Sequence, residues 1–245
     1  MKKILLITSV CFLTNTGLAQ FNSGLIVYER KVNMHKRLTG QQESMKNMIP
    51  EFTTAKMKLM FVENESIYKA VEETEDIREQ TDNDDERIVL RMDGDNEVYK
   101  NYLAGKMVEL RELGPKKYII EDSIRSFSWK LDDSETKIIK DYTCKKATAK
   151  NSQGMTLVAW FSDQINCPSG PEIFGGLPGL ILELNIGDDE IVFLPLDIKK
   201  GIDSKLVQAP NAGKTISRKE FQKMMDDQSG GNGEGGGPVI RIRRN

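Results

Sequence analysis

Short runs with the composition and alternation of β-strands recur along almost the whole chain, and most are closed by a turn signal. Period-2 alternation and β-branched or aromatic residues are typical of strands that bury one face. The predicted strands cover residues 24–34, 56–63, 67–71, 87–92, 97–103, 106–113, 117–121, 136–139, 141–150, 155–162, 180–186 and 190–199. Strands this short and this closely spaced predict a mainly β, β-rich α+β fold. Its core is one extended, curved antiparallel sheet, a meander that is either open or curled into a half-open barrel.

Helix signals are few. Residues 41–49 have room for two turns before Pro50. Ser217 and Glu220 have the spacing of a capping box, and Phe221, Met224 and Met225 form an apolar stripe behind it. The sequence therefore predicts one or two short helices, and the second of these is expected to pack on the sheet.

The first nineteen residues have the order of parts found in secretory signals. Lys2 and Lys3 precede an apolar run at residues 4–13, and small residues at Gly17 and Ala19 flank a cleavage site before Gln20. The apolar run is shorter than the ~20 residues that a membrane-spanning helix needs. We therefore expect residues 1–19 to be a cleaved signal peptide and the mature chain to be a periplasmic protein without a transmembrane span.

The remaining chain divides by composition. Residues 20–227 predict one β-rich domain, interrupted by an acidic loop at residues 72–86. Residues 228–237 read as a Gly-rich linker, and residues 238–245 alternate apolar and basic side chains like a strand. This last segment is expected either to complete the protein's own sheet or to add to the sheet edge of a partner.

The residues that usually carry enzyme chemistry are scarce. His35 is the single histidine, which excludes a histidine-cluster metal site. No GxSxG, HExxH or phosphate-binding loop motif occurs. A formal net charge of −2, which becomes more negative once Lys2 and Lys3 are removed, does not favour nucleic-acid binding. We therefore predict a protein without catalytic residues or a cofactor.

Two groups of sulfur-containing residues leave alternatives open. Met34 and His35, together with Met45, Met48, Met57 and Met60, offer the thioether and imidazole ligands of a copper(I) site, but methionines also fill gaps in cores. Packing is the favoured interpretation and copper binding the alternative.

Cys144 and Cys167 are the two cysteines that remain after signal cleavage. They stand near the two ends of a predicted hairpin at residues 141–150 and 155–162, in a compartment that favours disulfides. A disulfide is the favoured interpretation, and a pair of buried free thiols is the alternative.

The most specific segment is the string Gly176, Leu177, Pro178, Gly179, Leu180 and Ile181, which follows Phe174 and Gly175. Proline followed by glycine predicts a type II turn, and the apolar residues after it begin a buried strand. This segment closely resembles the signature of the GLPGLI family of exported, Bacteroidota-type envelope proteins. Residues 141–148, 159–161 and 170–171 also resemble that family, so the likeness extends over most of the mature chain.

The resemblance implies the cellular compartment and the partners of the protein, but it does not imply a reaction. Members of the GLPGLI family often accompany TonB-dependent transporters of the outer membrane, and their curved sheet looks somewhat like that of lipid carriers. The leading hypothesis is thus a non-enzymatic envelope interaction protein, accessory to an outer-membrane transport complex. The alternatives are a periplasmic carrier of a lipid or other apolar ligand and a copper-binding envelope protein.

Overall fold

The computed structural model describes residues 21–38, 40–71 and 96–228. In these ranges one sheet of 12 strands is accompanied by one α-helix and three short 3-10 helices. The strands are β1 (Ser23–Asn33), β2 (Phe52–Val62), β3 (Glu65–Ala70), β4 (Glu97–Asn101), β5 (Lys106–Leu113), β6 (Lys116–Ser123), β7 (Lys130–Ile139), β8 (Tyr142–Lys150), β9 (Thr156–Ser162), β10 (Leu180–Ile186), β11 (Ile191–Lys200) and β12 (Lys214–Ile216). The helix α1 spans Arg218–Gln228, and the 3-10 helices span His35–Arg37, Gly40–Met48 and Ser204–Leu206. The predicted mainly β fold is confirmed, and the sheet does not close into a barrel.

The sheet consists of two meanders joined in the middle. Its strand order is β12-β6-β5-β4-β3-β2-β1-β11-β10-β9-β8-β7. We call β1–β6 the first arm and β7–β11 the second arm. The arms meet where β1 pairs antiparallel with β11, in a register that shifts between Val27 and Tyr28. The one parallel pair in the described sheet is β12 with β6, which departs from the wholly antiparallel prediction at this edge.

The connection between β6 and β7 forces the sheet to curl. These two strands lie ten strand positions apart, which in a flat sheet is about 48 Å at ~4.8 Å per strand. The chain from Ser123 to Lys130 has only seven Cα–Cα steps and reaches at most about 26 Å. The two ends of the sheet must therefore approach one another, and the sheet has a concave and a convex face.

The larger core cluster lies on the concave face, because it contains side chains from both arms. Tyr28, Leu59 and Tyr68 of the first arm belong to it together with Ala159 and Phe161 of the second. The alternate side chains of the first arm point the other way and form a second cluster on the convex face. Both faces of the first arm are thus buried.

Three segments outside the sheet cover these faces. Residues 163–179, between β9 and β10, enter the concave side, where Ile165 and Phe174 join the core. Residues 201–213 run over the convex face of the first arm, and Val207 is buried there. Helix α1 packs on β6 through an edge contact between the Phe221 and Tyr118 rings, whose centroids are 5.9 Å apart.

The predicted helix start is confirmed in detail. The hydroxyl of Ser217 accepts a hydrogen bond from the Glu220 N–H at 3.1 Å, and the Glu220 carboxylate accepts one from the Ser217 N–H at 2.8 Å. The first predicted helix is a 3-10 helix at Gly40–Met48. In the residues that the structure describes, no helix is long and apolar enough to cross a membrane.

Several predicted features lie outside the described residues. These are the signal peptide at 1–19, the acidic loop at 72–86, the strand at 87–92 and the strand-like segment at 238–245, together with nearly all of its Gly-rich linker. Strand β7, by contrast, is described and is longer than predicted, since it starts at Lys130 rather than at Thr136.

Candidate functional site

Residues 163–179, which we call the plug, fill the concave side of the sheet. The plug folds into a small loop of its own, because the Gly176 N–H donates to the carbonyl of Pro168 at 2.8 Å. Ser169 and Gly175 form an isolated antiparallel bridge in the same loop. Cys167 and Leu177 of the plug are buried in the core between the arms. The signature string at residues 176–181 is therefore the exit of the plug and the start of β10.

The signature turn is tighter than predicted. The Gly179 N–H donates to the carbonyl of Leu177 at 2.8 Å, which is the i→i+2 bond of a γ-turn around Pro178 rather than a type II turn. Gly179 has φ +147°, and a Cβ atom there would stand 2.2 Å from the carbonyl oxygen of Ser162. Glycine is needed because the backbones of β9 and β10 approach closely at this residue.

Side chains from both ends of the sheet hold the backbone of the plug. The Lys100 ammonium donates to the carbonyl of Phe174 at 2.6 Å, and the Trp129 indole donates to the carbonyl of Gly175 at 2.9 Å. Just beyond the plug, the Tyr28 hydroxyl donates to the carbonyl of Ile181 at 2.6 Å. Each bond gives a hydrogen-bond donor to a carbonyl of a buried residue. These three side chains thus hold the backbone of this segment in place, and we call their contacts the clamp.

Two side-chain pairs complete the clamp. The hydroxyls of Ser66 on β3 and Ser169 in the plug lie 3.0 Å apart. Arg30 on β1 forms an ion pair with Glu172 of the plug at 3.1 Å. Together with the backbone contacts, these pairs tie the plug to β1, β3 and β4 and to the residue before β7. The plug is therefore an integral layer of the fold.

Lys100 is the most unusual residue of the site. Its side chain points into the concave side between Ser66 and Met107, which are its cross-strand neighbours, and it is 1% exposed. Burial lowers the pKa of Lys100 to about 7, although the neighbouring Cys167, Glu109 and Glu172 act in the opposite direction. A lysine that is neutral near physiological pH can act as a base or a nucleophile. Here the amine lies against the backbone of the plug and holds it.

A charged network continues from Lys100 to the edge of the sheet. Glu109, on the concave side of β5, receives hydrogen bonds from Arg111 on the same strand, at 2.8 Å from Nε, and from Arg218 at the start of α1. Burial raises the pKa of Glu109, but the two guanidinium groups outweigh it and lower the pKa overall. Arg218 also binds Asp122 on β6 at 2.7 Å. This network fixes α1 on the concave side, against β5 and β6.

The structure has the two cysteines of the predicted disulfide as thiols, and their pairing stays a prediction. Cys144 and Cys167 are free and buried. After β9 the chain turns into the concave side instead of folding back along β8, which places Cys167 in the plug near Lys100. Burial raises the pKa of both thiols to about 12. Neither thiol is therefore activated as a nucleophile or a redox group.

Titration of the thiols distinguishes the predicted disulfide from the alternative of two buried free thiols. In the chain beginning at Gln20, we expect almost no reaction with a thiol-specific reagent at pH 8 in the native state, because both groups are buried and protonated. We expect two thiols to react after denaturation without reductant. Zero reactive thiols in denaturant, rising to two only after reduction, would restore the disulfide.

Among the described side chains, Met34 and His35 do not meet Met48, Met57 or Met60 in a ligand cluster. Met34 is buried in a small apolar cluster with Val32, Leu38 and Ile49, and the His35 Nε2 atom lies 2.9 Å from the carbonyl oxygen of Ile49. Met57 and Met60 belong to the clusters on opposite faces of the sheet, and the side chain of Met48 is exposed. The Met45 side chain lies outside the described part of the chain. The described thioethers therefore serve packing or face solvent.

Within the residues that the structure describes, the plug occupies the part of the concave side between the two arms, where the apolar ligand of the carrier alternative would be expected. Tyr28 and Tyr68 pack into the core with 6.5 Å between their ring centroids. Two surface depressions of about 480 and 560 Å³ are lined mainly by polar and charged residues at the ends of strands. An apolar ligand on the concave face would have to displace the plug.

Sequence reasoning did not find the clamp or the charged network. The available signal was local: Lys100 follows Val98 at the period-2 spacing of a buried face. A charged residue at an inward-facing position indicates a buried partner. That partner is a backbone carbonyl, however, and no residue type in the sequence marks it.

Comparison with known proteins gives one partial family match and a fold-level likeness. A family described as a protein of unknown function (Porph_ging) matches residues 150–183, which run from the end of β8 through β9 and the plug into β10. No curated protein matches the chain.

Among solved structures, two described as PNGF-II, in space groups P21 and C2, have TM-scores of 0.55 and identities of 14% and 13%. Both alignments cover 83% of this chain but only 33% and 32% of the PNGF-II chains, so the chain spans about a third of their length. At this identity the likeness concerns the fold alone. The family match, to a Bacteroidota-associated family of unknown function, includes the whole of the plug.

Proposed function

We propose that the chain is a non-enzymatic interaction protein of the bacterial envelope, of the GLPGLI type and exported to the periplasm. The observation that carries this proposal is that the plug occupies the concave face. The lysine and cysteine side chains there that could take part in a reaction are buried in contacts within the fold. Lys100 holds the Phe174 carbonyl, and the thiol of Cys167 is buried. Other molecules then meet the outer surface of the fold rather than an internal cavity.

One part of that outer surface is left uncovered. Residues 201–213 bury the convex face of the first arm, whereas the convex face of the second arm has no such layer in the described chain. Leu194 and Leu196 on β11 are exposed there, and Trp160 on β9 lies two strands away, across Glu183 of β10. We call these three side chains the outer patch. Exposed apolar side chains grouped with a tryptophan favour protein contact.

The partner class follows from the resemblance of the sequence to the GLPGLI family. The signal-like residues 1–19 direct the chain to the periplasm. An accessory protein of an outer-membrane TonB-dependent transport complex would meet its partner in that compartment. The outer patch is the surface that we assign to this contact.

Capture from solubilised envelopes tests the proposal. Tagged protein should retain an outer-membrane transport protein, and a double variant with Leu194→Lys and Leu196→Lys should retain at least about tenfold less, because two charges would be desolvated in the contact. Leu103→Lys is the matched control, since Leu103 is 81% exposed in the turn between β4 and β5. The control should capture as much as the wild type.

Two results would contradict the proposal. Capture of no protein beyond that seen with the tag alone would reject a stable partner, and the same sample would then be analysed for lipid and for copper. Equal loss of capture in the double variant and the Leu103→Lys control would reject the outer patch as the contact surface.

A further inference from the structure

Four lysines lie together on the convex face of the sheet, close to the outer patch. In β1, β2 and β3 they alternate with side chains of the concave core, so they point to the opposite face. They are Lys31, Lys56, Lys58 and Lys69, which we call the basic cluster. Lys56 is exposed, and the other three side chains are half-buried. Solvent and other molecules can therefore reach the cluster.

The register of the strands places two of these lysines against each other. Lys58 on β2 lies directly opposite Lys69 on β3. Lys69 has a partner in Glu97, at 3.8 Å, whereas Lys58 forms no ion pair within the described residues. Like charges directly opposite one another destabilise a sheet. This arrangement costs stability and is relieved when a further negative charge approaches the pair.

The carboxylates beside the basic cluster do not balance it. Glu29 on β1 lies opposite Lys56, but Asp197, the next carboxylate on this face, is already paired with Lys199 at 3.5 Å. Four ammonium groups thus have two carboxylates next to them on the convex face, Glu29 and Glu97. The chain as a whole has a formal net charge of −2, so the cluster is a local reversal of sign.

The basic cluster is continuous with the outer patch. Leu194 lies opposite Glu29, and Glu29 lies opposite Lys56, so the apolar and basic side chains are two strands apart in one row, about 10 Å. We propose that the basic cluster binds an acidic segment of the envelope protein that meets the outer patch. This inference rests on the proposed function and names the chemistry of the partner. The carboxylates of that segment supply the missing negative charge, and its apolar side chains lie on the leucines.

A protein segment fits this face better than a lipid surface. Leu194 and Leu196 are only 36% and 40% exposed, and they stand on the face of a sheet rather than on a projecting loop. Membrane binding through apolar side chains requires them to enter the headgroup boundary by about 5–10 Å. A protein segment can lie along the sheet face instead, and complementary charge then guides its approach and fixes its register.

Binding of a defined acidic polypeptide tests the proposal. The probe is a random copolymer of glutamate and tyrosine in low salt, and the full-length exported chain should bind it through the basic cluster. The double variant Lys31→Glu and Lys58→Glu should bind at least about tenfold more weakly, and added salt should weaken binding of the wild type. The matched control is the double variant Lys116→Glu and Lys219→Glu on β6 and α1, which makes the same change in net charge and should bind like the wild type.

Stability measurements separate lost binding from lost folding. Lys58→Glu converts the like-charge pair with Lys69 into an attractive pair, so its midpoint of urea unfolding should not fall below that of the wild type. Weaker copolymer binding by a variant that is at least as stable assigns the effect to the contact with the ligand. A lower midpoint together with weaker binding would assign these lysines to the fold and contradict the proposal.

Three further results would overturn it. These are equal binding of the copolymer by the wild type and the Lys31→Glu, Lys58→Glu variant, binding of phosphatidylglycerol vesicles but not of the copolymer, and copolymer binding only after the acidic residues of 72–86 are replaced by serine. The last result would assign the cluster to the chain's own acidic segment. Failure of this inference is distinct from failure of the proposed function. If the Leu194→Lys, Leu196→Lys variant loses envelope capture while the Lys31→Glu, Lys58→Glu variant keeps it, the outer patch stands and the acidic partner does not.

Discussion

Replacing Gly179 with alanine should destabilise the fold by about 3–5 kcal/mol, which is at the upper end of single-substitution effects. The added Cβ atom would stand 2.2 Å from the Ser162 carbonyl oxygen and 2.6 Å from its carbon. Both atoms belong to the backbone of β9, so no flexible side chain can move aside. The φ of +147° adds a second cost, since residues with a Cβ atom rarely adopt it. Relief requires β10 and the plug to move away from β9.

Gly176→Ala is the matched control for this prediction. Gly176 also has a positive φ, of +84°, but a Cβ atom there would meet nothing within 4 Å. Its substitution should cost only about 1 kcal/mol, the conformational preference of glycine alone. Urea unfolding of both variants, followed by tryptophan fluorescence, measures the two costs. Equal costs would show that the close approach of β9 and β10 is not what requires glycine at residue 179.

The strands could be predicted from the sequence, but the curl of the sheet could not. Period-2 alternation located almost every described strand, because each strand buries a face and alternation records that burial locally. The curl depends on the connection from Ser123 to Lys130, which joins strands from opposite ends of the sheet. Strand order is a property of the whole chain, so no local pattern reveals that a short linker must bring those ends together.

The site was only partly predictable, for a related reason. The signature string was recognised as structurally demanding, and Gly179 confirms that demand, although the turn is a γ-turn. Its role as a buried plug depends on contacts far along the chain, such as Lys100 with the Phe174 carbonyl. Every residue has a carbonyl, so the sequence does not mark which one a buried lysine will bind.

The buried ammonium of Lys100 should make stability depend on pH in the direction opposite to that of a lysine in a salt bridge, whose pKa is raised by folding. Burial lowers its pKa from the ordinary lysine value of 10.5 to about 7 in the folded protein. Below pH 7 both the folded and the unfolded states carry the proton, and the folded state bears the full cost of burying the charge. Between pH 7 and about 10 the unfolded state binds more protons, so the free energy of unfolding rises with pH. The cost of the buried charge is progressively relieved over that window.

Lys100→Met should remove this pH dependence while keeping a side chain of similar length in the core. Between pH 7 and pH 9, the wild type should gain about 2 kcal/mol of unfolding free energy relative to the variant. Urea unfolding of both proteins across this range measures the difference. Contributions from Cys144, Cys167 and every other shared group cancel in that comparison. If the free energies of unfolding of the two proteins changed with pH in parallel, Lys100 would not change its protonation on unfolding in this range. Its ammonium would then be charged beneath the plug, with the cost of burial offset by other groups.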